Sequence, residues 1–148
     1  MFKKLLFLFS VLALSLYTVA CGDDDEPFEN VKNFNELPQQ AQSFINDYFS
    51  TYNISSIVFS EGGYEVNFDN GTEVDFNAVG QWTDIDAGLG YYVPFELVPL
   101  GISTYLSTNY PTQNITELSR TVSGGYVVDL TNGAELIFDV NGNFIGYD

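Results

Sequence analysis

Tyr64-Glu65-Val66-Asn67-Phe68-Asp69-Asn70-Gly71-Thr72-Glu73-Val74-Asp75-Phe76 is the stretch whose reading decides the fold. Apolar and polar residues alternate on both sides of Asn70-Gly71, the period of strands with one buried face. A two-residue Asn70-Gly71 loop would pair Phe68 with Glu73 and Val66 with Asp75, setting apolar side chains beside charges. A three-residue loop, Asp69-Asn70-Gly71 with the glycine left-handed, pairs Val66 with Val74 and Tyr64 with Phe76 instead. Tyr64, Val66, Phe68, Val74 and Phe76 then share one buried face. Glu65, Asn67, Glu73 and Asp75 share the other, with Glu65 opposite Asp75.

The stretch has a second copy. Tyr64, Asn70-Gly71, Glu73, Phe76, Gly80 and Trp82 match Tyr126, Asn132-Gly133, Glu135, Phe138, Gly142 and Phe144 at an offset of 62. Upstream, Pro38, Phe44-Ile45, Asn53-Ile54 and Ile57 match Pro99, Tyr105-Leu106, Asn114-Ile115 and Leu118 at an offset of 61. Two copies of this length predict a duplicated supersecondary unit. In the second copy the same loop rule sets Val128 opposite Leu136 and Tyr126 opposite Phe138. Val127 and Ile137 then point outward beside Asp129 and Glu135.

Each copy opens with a helix. Over Pro38 to Tyr52 the apolar residues Ala41, Phe44, Ile45, Tyr48 and Phe49 recur at helical spacing, behind a proline whose missing N–H costs nothing at a helix start. In the second copy Ile102, Tyr105 and Leu106 keep the pattern until Pro111 stops it. Strands are expected over Ser55–Ser60, Gly63–Phe68, Thr72–Asn77, a short one around Trp82, and from Ile115 to Ser123. The expected class is α+β, with two tandem helix-plus-antiparallel-sheet repeats, helices on one face of the sheet and the other face open.

The N-terminus gives an address. Lys3 and Lys4 precede an apolar run from Leu5 to Leu16, too short to span a bilayer, which is the anatomy of a signal peptide. Thr18-Val19-Ala20-Cys21 resembles the lipobox of bacterial lipoproteins, which implies lipidation of Cys21. Asp23-Asp24-Asp25-Glu26 after it resembles the export signal of surface lipoproteins in Bacteroidetes. The expected organisation is a lipoprotein signal peptide over 1–20, the lipidated cysteine and acidic tether over 21–33, and repeats over 34–88 and 89–148. The expected location is the outer membrane, surface exposed, with a periplasm-facing anchor as the alternative.

Composition excludes several chemistries. Without residues 1–20 the chain keeps Lys32 and Arg120 against 20 acids, a formal charge of −18. Such a surface repels nucleic acid and attracts basic proteins or divalent cations. There is no histidine, so Ser/His/Asp catalysis within one chain is impossible. The single cysteine is assigned to the anchor, leaving no thiolate nucleophile, disulfide or zinc site, and no cofactor is expected. Stability must come from a core that 13 Phe and 10 Tyr can supply.

Leu37-Pro38, Phe44-Ile45, Tyr48-Phe49, Ile57, Tyr64-Glu65-Val66, Asn70-Gly71, Val74-Asp75-Phe76 and Gly80-Gln81-Trp82 together resemble the PepSY-like family of beta-lactamase-inhibitor-like proteins, over Phe34 to Asp148. That resemblance implies tandem helix-plus-sheet units like those of the beta-lactamase inhibitor protein, whose open sheet face grips its target.

The expected partner is therefore another protein, of basic character, met by the open face through Glu65, Glu73, Asp75, Val127, Asp129 and Ile137. The bland reading of those acids is an acidic protein placing charge where water is. A glycan-binding alternative would use exposed aromatics, especially Tyr91, Tyr92 and Trp82, with Phe144 equivalent to Trp82. A hydrolase with paired acids is a further alternative. Asp84-Ile85-Asp86-Ala87-Gly88 echoes the start of a calcium loop but lacks its later acids, and reads as the connection between repeats. Asp139-Val140-Asn141-Gly142 reads as a turn. Asn53-Ile54-Ser55 and Asn114-Ile115-Thr116 read as helix-to-strand turns.

Overall fold

The computed structural model describes residues 33–60 and 62–148. The signal peptide over 1–20, the lipidation of Cys21 and nearly all of the tether lie outside the described residues. Helix α1 spans Gln39–Tyr48 and helix α2 spans Leu100–Asn109, each started by a proline, Pro38 and Pro99. Helix α1 is shorter than the expected Pro38 to Tyr52. At Phe49 the backbone leaves helical geometry, and its ring is buried and stacked on Phe68 with centroids 5.5 Å apart. Ser50, Thr51 and Asn53 beyond it have little helical preference to oppose that turn.

Eight strands follow in two groups: β1 Ile54–Ser60, β2 Gly63–Phe68, β3 Glu73–Asn77 and β4 Trp82–Asp86, then β5 Ile115–Arg120, β6 Tyr126–Leu130, β7 Glu135–Phe138 and β8 Phe144–Tyr147. They form one sheet in sequence order, every neighbour antiparallel. The three-residue loop holds in both halves: Val66 pairs with Val74 and Tyr64 with Phe76, Val128 with Leu136 and Tyr126 with Phe138. Gly71 takes φ of 85°, and its N–H donates to the Phe68 carbonyl to close the turn. Pairing is irregular at Ile54/Ser56 and Asp75/Phe76, and again at Ile115/Glu117 and Ile137/Phe138.

One expectation is corrected here. Asp84 and Asp86 are not in the connection between repeats but in β4, paired with Ser119 and Glu117 of β5. The reason is Ile85 between them, which alternation sends into the core, where it is wholly buried. Strand β5 also stops at Arg120, short of the expected Ser123, because Val122 to Gly124 form the turn into β6. Asp139 to Gly142 is a turn, and Asn53 and Asn114 lie just before β1 and β5, as the sequence predicts.

Val66, Val74, Ile85, Leu118, Val128 and Leu136 are consecutive cross-strand partners from β2 to β7, all at 0% exposure. Each helix contributes an aromatic contact to the sheet. Phe44 of α1 meets Phe76 edge-on at 5.7 Å, and Tyr105 of α2 meets Phe138 edge-on at 5.5 Å. Tyr105 also stacks on Phe144 at 4.6 Å. Each such pair adds about 0.5–1.5 kcal/mol beyond area burial.

The connection between halves is pinned to the sheet. Ala87 N–H donates to the Thr116 carbonyl at 2.8 Å, Gly88 N–H to Thr72 Oγ1 at 3.2 Å, and Val93 N–H to the Ile115 carbonyl at 3.0 Å. A Cβ at Gly88 would lie 2.2 Å from the Asn70 carbonyl oxygen, so only glycine allows this approach. Gly88→Ala is expected to lower stability by about 1–3 kcal/mol in urea unfolding. Gly146→Ala, with nothing within 4 Å of its would-be Cβ, should stay within about 0.5 kcal/mol of the parent.

Candidate functional site: a two-row carboxylate face

The alternation that buries the apolar row sends the intervening residues to the opposite face. Cross-strand partners there form two neighbouring rows. The first runs Asn67, Glu73, Asp86, Glu117, Asp129, Glu135 from β2 to β7. The second runs Glu65, Asp75, Asp84, Ser119, Val127, Ile137 over the same strands. Eight carboxylates thus share one face, and those of the first row span about 19 Å at the usual strand spacing.

All six residues singled out from sequence lie in these two rows. Glu65, Glu73 and Asp75 come together, with carboxylate oxygens within 4.8 Å of one another. Val127 and Ile137 pair directly and, with Ser119, make the uncharged end of the second row, while Asp129 lies beside them in the first. Sequence reasoning missed Asp84, Asp86 and Glu117. The Asp-Ile-Asp alternation at 84–86 was the available signal, but no hairpin turn joins β4 to β5, so nothing local fixes that register.

Like charges placed directly across strands repel, and here all but Asp86 are also partly buried. Glu73 is raised to about 7 by burial first and then by Glu65, Asp75, Asp86 and Asp84. Glu117 is raised to about 7 by burial and then by Asp84, Asp129 and Asp86. Asp75 is raised to about 6, again by burial before Asp84 and Glu65. Burial also raises Asp84, Asp86, Asp129 and Glu135. Asn67 Nδ2 donates to Glu65 Oε1 at 2.7 Å. Ser119 Oγ lies against both Asp84 Oδ1 and, at 3.2 Å, Glu117 Oε1. A serine has one proton to donate, so both contacts are hydrogen bonds only when one carboxyl is itself protonated.

Arg120 is the sole basic residue among the described residues, and it does not serve this face. Its guanidinium lies 4.1 Å from the Trp82 ring centroid and 5.8 Å from that of Tyr126. Trp82 is buried, stacked on Phe44, so its ring is a core element. Tyr91 and Tyr92 are exposed, Tyr91 meeting Tyr52 edge-on at 5.7 Å. At the β2–β3 end of the acidic rows a hollow of about 310 Å³ is lined by Gly62, Gly63, Glu65, Asp75 and Thr83 among others.

The sign of the pH dependence follows. A carboxyl whose folded pKa exceeds its unfolded value carries no penalty when both states are protonated, and its full penalty once pH passes the folded value. Stability should therefore fall as pH rises from about 4.5 to about 7, the window set by Glu73 and Glu117. Glu73→Gln and Glu117→Gln should each recover about 1 kcal/mol at pH 8, discounted for the solvent that reaches them, and flatten the profile. Thermal unfolding from pH 4.5 to pH 8 reads this directly, and a melting point that climbs with pH would contradict it.

A family model described as "Putative beta-lactamase-inhibitor-like, PepSY-like" matches residues 62–146. Among solved structures, the chain is similar to a "putative calcium-regulated periplasmic protein" of Bacteroides thetaiotaomicron, at 32% identity and a TM-score of 0.76, covering 82% of this chain and 96% of that one. It is similar to a periplasmic protein of unknown function from Bacteroides vulgatus, at 29% identity and a TM-score of 0.77, covering 82% of this chain and 98% of that one. A second periplasmic protein of Bacteroides vulgatus aligns at 31% identity and a TM-score of 0.76 over 84% of this chain and 99% of that one. No curated protein matches the chain. The family match and the sequence identity agree with the sheet and the turns: this chain belongs to the PepSY-like, beta-lactamase-inhibitor-like family.

Proposed function

We propose that the chain is a non-catalytic cell-envelope lipoprotein, lipidated at Cys21 and held at the outer membrane, whose open sheet face binds another protein of basic surface. The observation that carries this reading is the carboxylate face itself: eight acids on six strands, all but Asp86 partly buried, with the one described cation engaged elsewhere. Stacking like charges across strands lowers the stability of the fold, and complementarity to a cationic partner offsets that loss. The periplasmic description of the Bacteroides relatives supports an envelope location.

The same reading takes the chain as two copies of one unit, residues 34–88 and 89–148, with both helices on the buried side of the sheet. The recurring irregular pairings at equivalent positions support it, as do the α1 and α2 aromatics that both reach the buried rows. Against a hydrolase, Glu65 and Asp75 are side by side on one face, whereas glycoside cleavage needs carboxyls flanking the bond. Against glycan binding through Trp82, that ring is buried.

Affinity capture from cell-envelope and secreted fractions tests the protein-binding reading. The chain should retain a basic partner, and Glu65→Lys with Asp75→Lys should weaken retention at least about tenfold, a loss typical of reversing charges at a contact. Glu96→Lys, which changes net charge at an exposed residue outside the sheet, should leave it intact. Equal retention by both variants would remove the face from the proposal.

A second reading, calcium binding, is favoured by one specific arrangement, the Glu65, Glu73 and Asp75 oxygens within 4.8 Å, together with the description of the Bacteroides thetaiotaomicron relative. Carboxylate oxygens are the ligands calcium prefers. At pH 7.5, millimolar calcium should raise the melting point more than sodium chloride of equal ionic strength, and Glu73→Gln with Asp75→Asn should abolish the excess. A rise matched by sodium chloride would reduce the effect to screening.

A further inference from the structure

The eight-stranded sheet is open, and among the described residues its first edge strand, β1, has β2 as its one strand neighbour. Strand β1, Ile54-Ser55-Ser56-Ile57-Val58-Phe59-Ser60, has no charge and no proline, two of the common devices that keep a strand edge from pairing. Its irregular pairing is confined to the Ile54/Ser56 end. The other edge, β8, is only four residues long.

The hydrogen-bond phase of β1 follows from the hairpin after it. Phe68 N–H donates to the Thr72 carbonyl, so in the alternation of an antiparallel pair Val66 and Tyr64 direct their backbone groups to β3. Asn67 and Glu65 then direct theirs to β1, onto Ser56 and Val58. Ile57 and Phe59 are therefore left with N–H and C=O pointing outward, and no backbone partner takes them among the described residues.

We propose that β1 accepts an extended basic segment of a partner protein as an added antiparallel strand, hydrogen-bonded through Ile57 and Phe59. This rests on the protein-binding reading of the open face and names the form of the partner. On an added strand, residues opposite Ile57 and Phe59 fall on the buried side, beside those apolar side chains. Residues opposite Ser56 and Val58 fall on the carboxylate side. Val58 is the cross-strand partner of Glu65, which begins the second acidic row. A lysine or arginine placed there has Glu65 about 10 Å away at two strand spacings, within combined side-chain reach across Val58. The segment that fits alternates basic with apolar residues, its main chain supplying affinity and its alternate side chains specificity.

The test uses the full chain in detergent and a peptide of about seven alternating lysines and valines. Its valines align with Ile57 and Phe59, so N-methylation of the valine amides removes the bonds to β1, and N-methylation of the lysine amides leaves them. Calorimetry should show at least about tenfold weaker binding for the valine-methylated peptide and unchanged binding for the lysine-methylated one. Phe59→Pro, which removes an outward donor without a bond to β2, should match that loss, and Phe59→Ala should not. Equal binding by both methylated peptides, or none by the parent peptide, overturns the proposal. If binding ignores methylation yet disappears in Glu65→Lys with Asp75→Lys, the edge fails while the face survives. If methylation and Phe59→Pro weaken binding but charge reversal does not, the edge stands and the open-face reading fails.

Discussion

The row Val66, Val74, Ile85, Leu118, Val128, Leu136 is the constraint on which the rest of the structure depends. Six side chains at zero exposure lock the register of six strands at once. A slip by one residue in any strand would exchange its apolar set for the opposite one, and in each of these six strands the opposite set includes a carboxylate. Burying one such group uncompensated costs far more than a strand pair contributes, so competing registers are excluded by a wide margin. The repulsive face therefore takes part in specifying the fold, although it lowers stability.

The same row explains how the two halves become one body. Strands β4 and β5 are separated by the segment from Ala87 to Asn114, which includes α2, so no turn brings them together. What joins them is Ile85 against Leu118, continuous with the core on either side, and the linker bonds from Ala87 and Val93 that continue the pairing past the end of β4. This joint also fuses two short acidic clusters into one long row. Asp86 beside Glu117 is the seam, and the raised proton affinity of Glu117 comes in part from Asp84 and Asp86 in the other half. The electrostatic character of Glu117 and Asp129 is thus a property of the assembled sheet, whereas Glu73 and Asp75 are raised by burial and by carboxylates of their own half.

How much of this was legible in the sequence follows from the range of the interactions. Within a hairpin, turn chemistry and alternation fix the register, so Val66 opposite Val74 and Glu65 opposite Asp75 could be written down from Asn70-Gly71 and its flanks. The helix starts were legible in Pro38 and Pro99. The end of α1 was not, because Phe49 leaves the helix to reach Phe68, a contact that helical periodicity does not contain. Asp84 and Asp86 were misread because an acidic pair before Ala-Gly looks like a loop, whereas Ile85 between them pairs with Val74 of β3 and Leu118 of β5 and is a core residue. For the site, the six residues read from hairpin logic all fall on the face, but its continuity through Asp86 and Glu117 depends on the pairing that no local signal specifies.

An uncharged edge strand beside a heavily charged face is an inversion of the usual arrangement, in which the edge carries the protective charge. Here the protection is collective. With a formal charge of −16, two copies approaching edge to edge bring like fields together, and the acidic rows of both would lie on one continuous face. Screening shortens the reach of that field to about 8 Å at physiological ionic strength, comparable to the two strand spacings between an added strand and Glu65. Repulsion acts at the distance where pairing would begin, and it acts only against a strand that brings negative charge with it. A basic strand meets the opposite sign at the same place. Charge on the face thus filters which strands reach the edge, favouring a basic strand over a second copy of this chain.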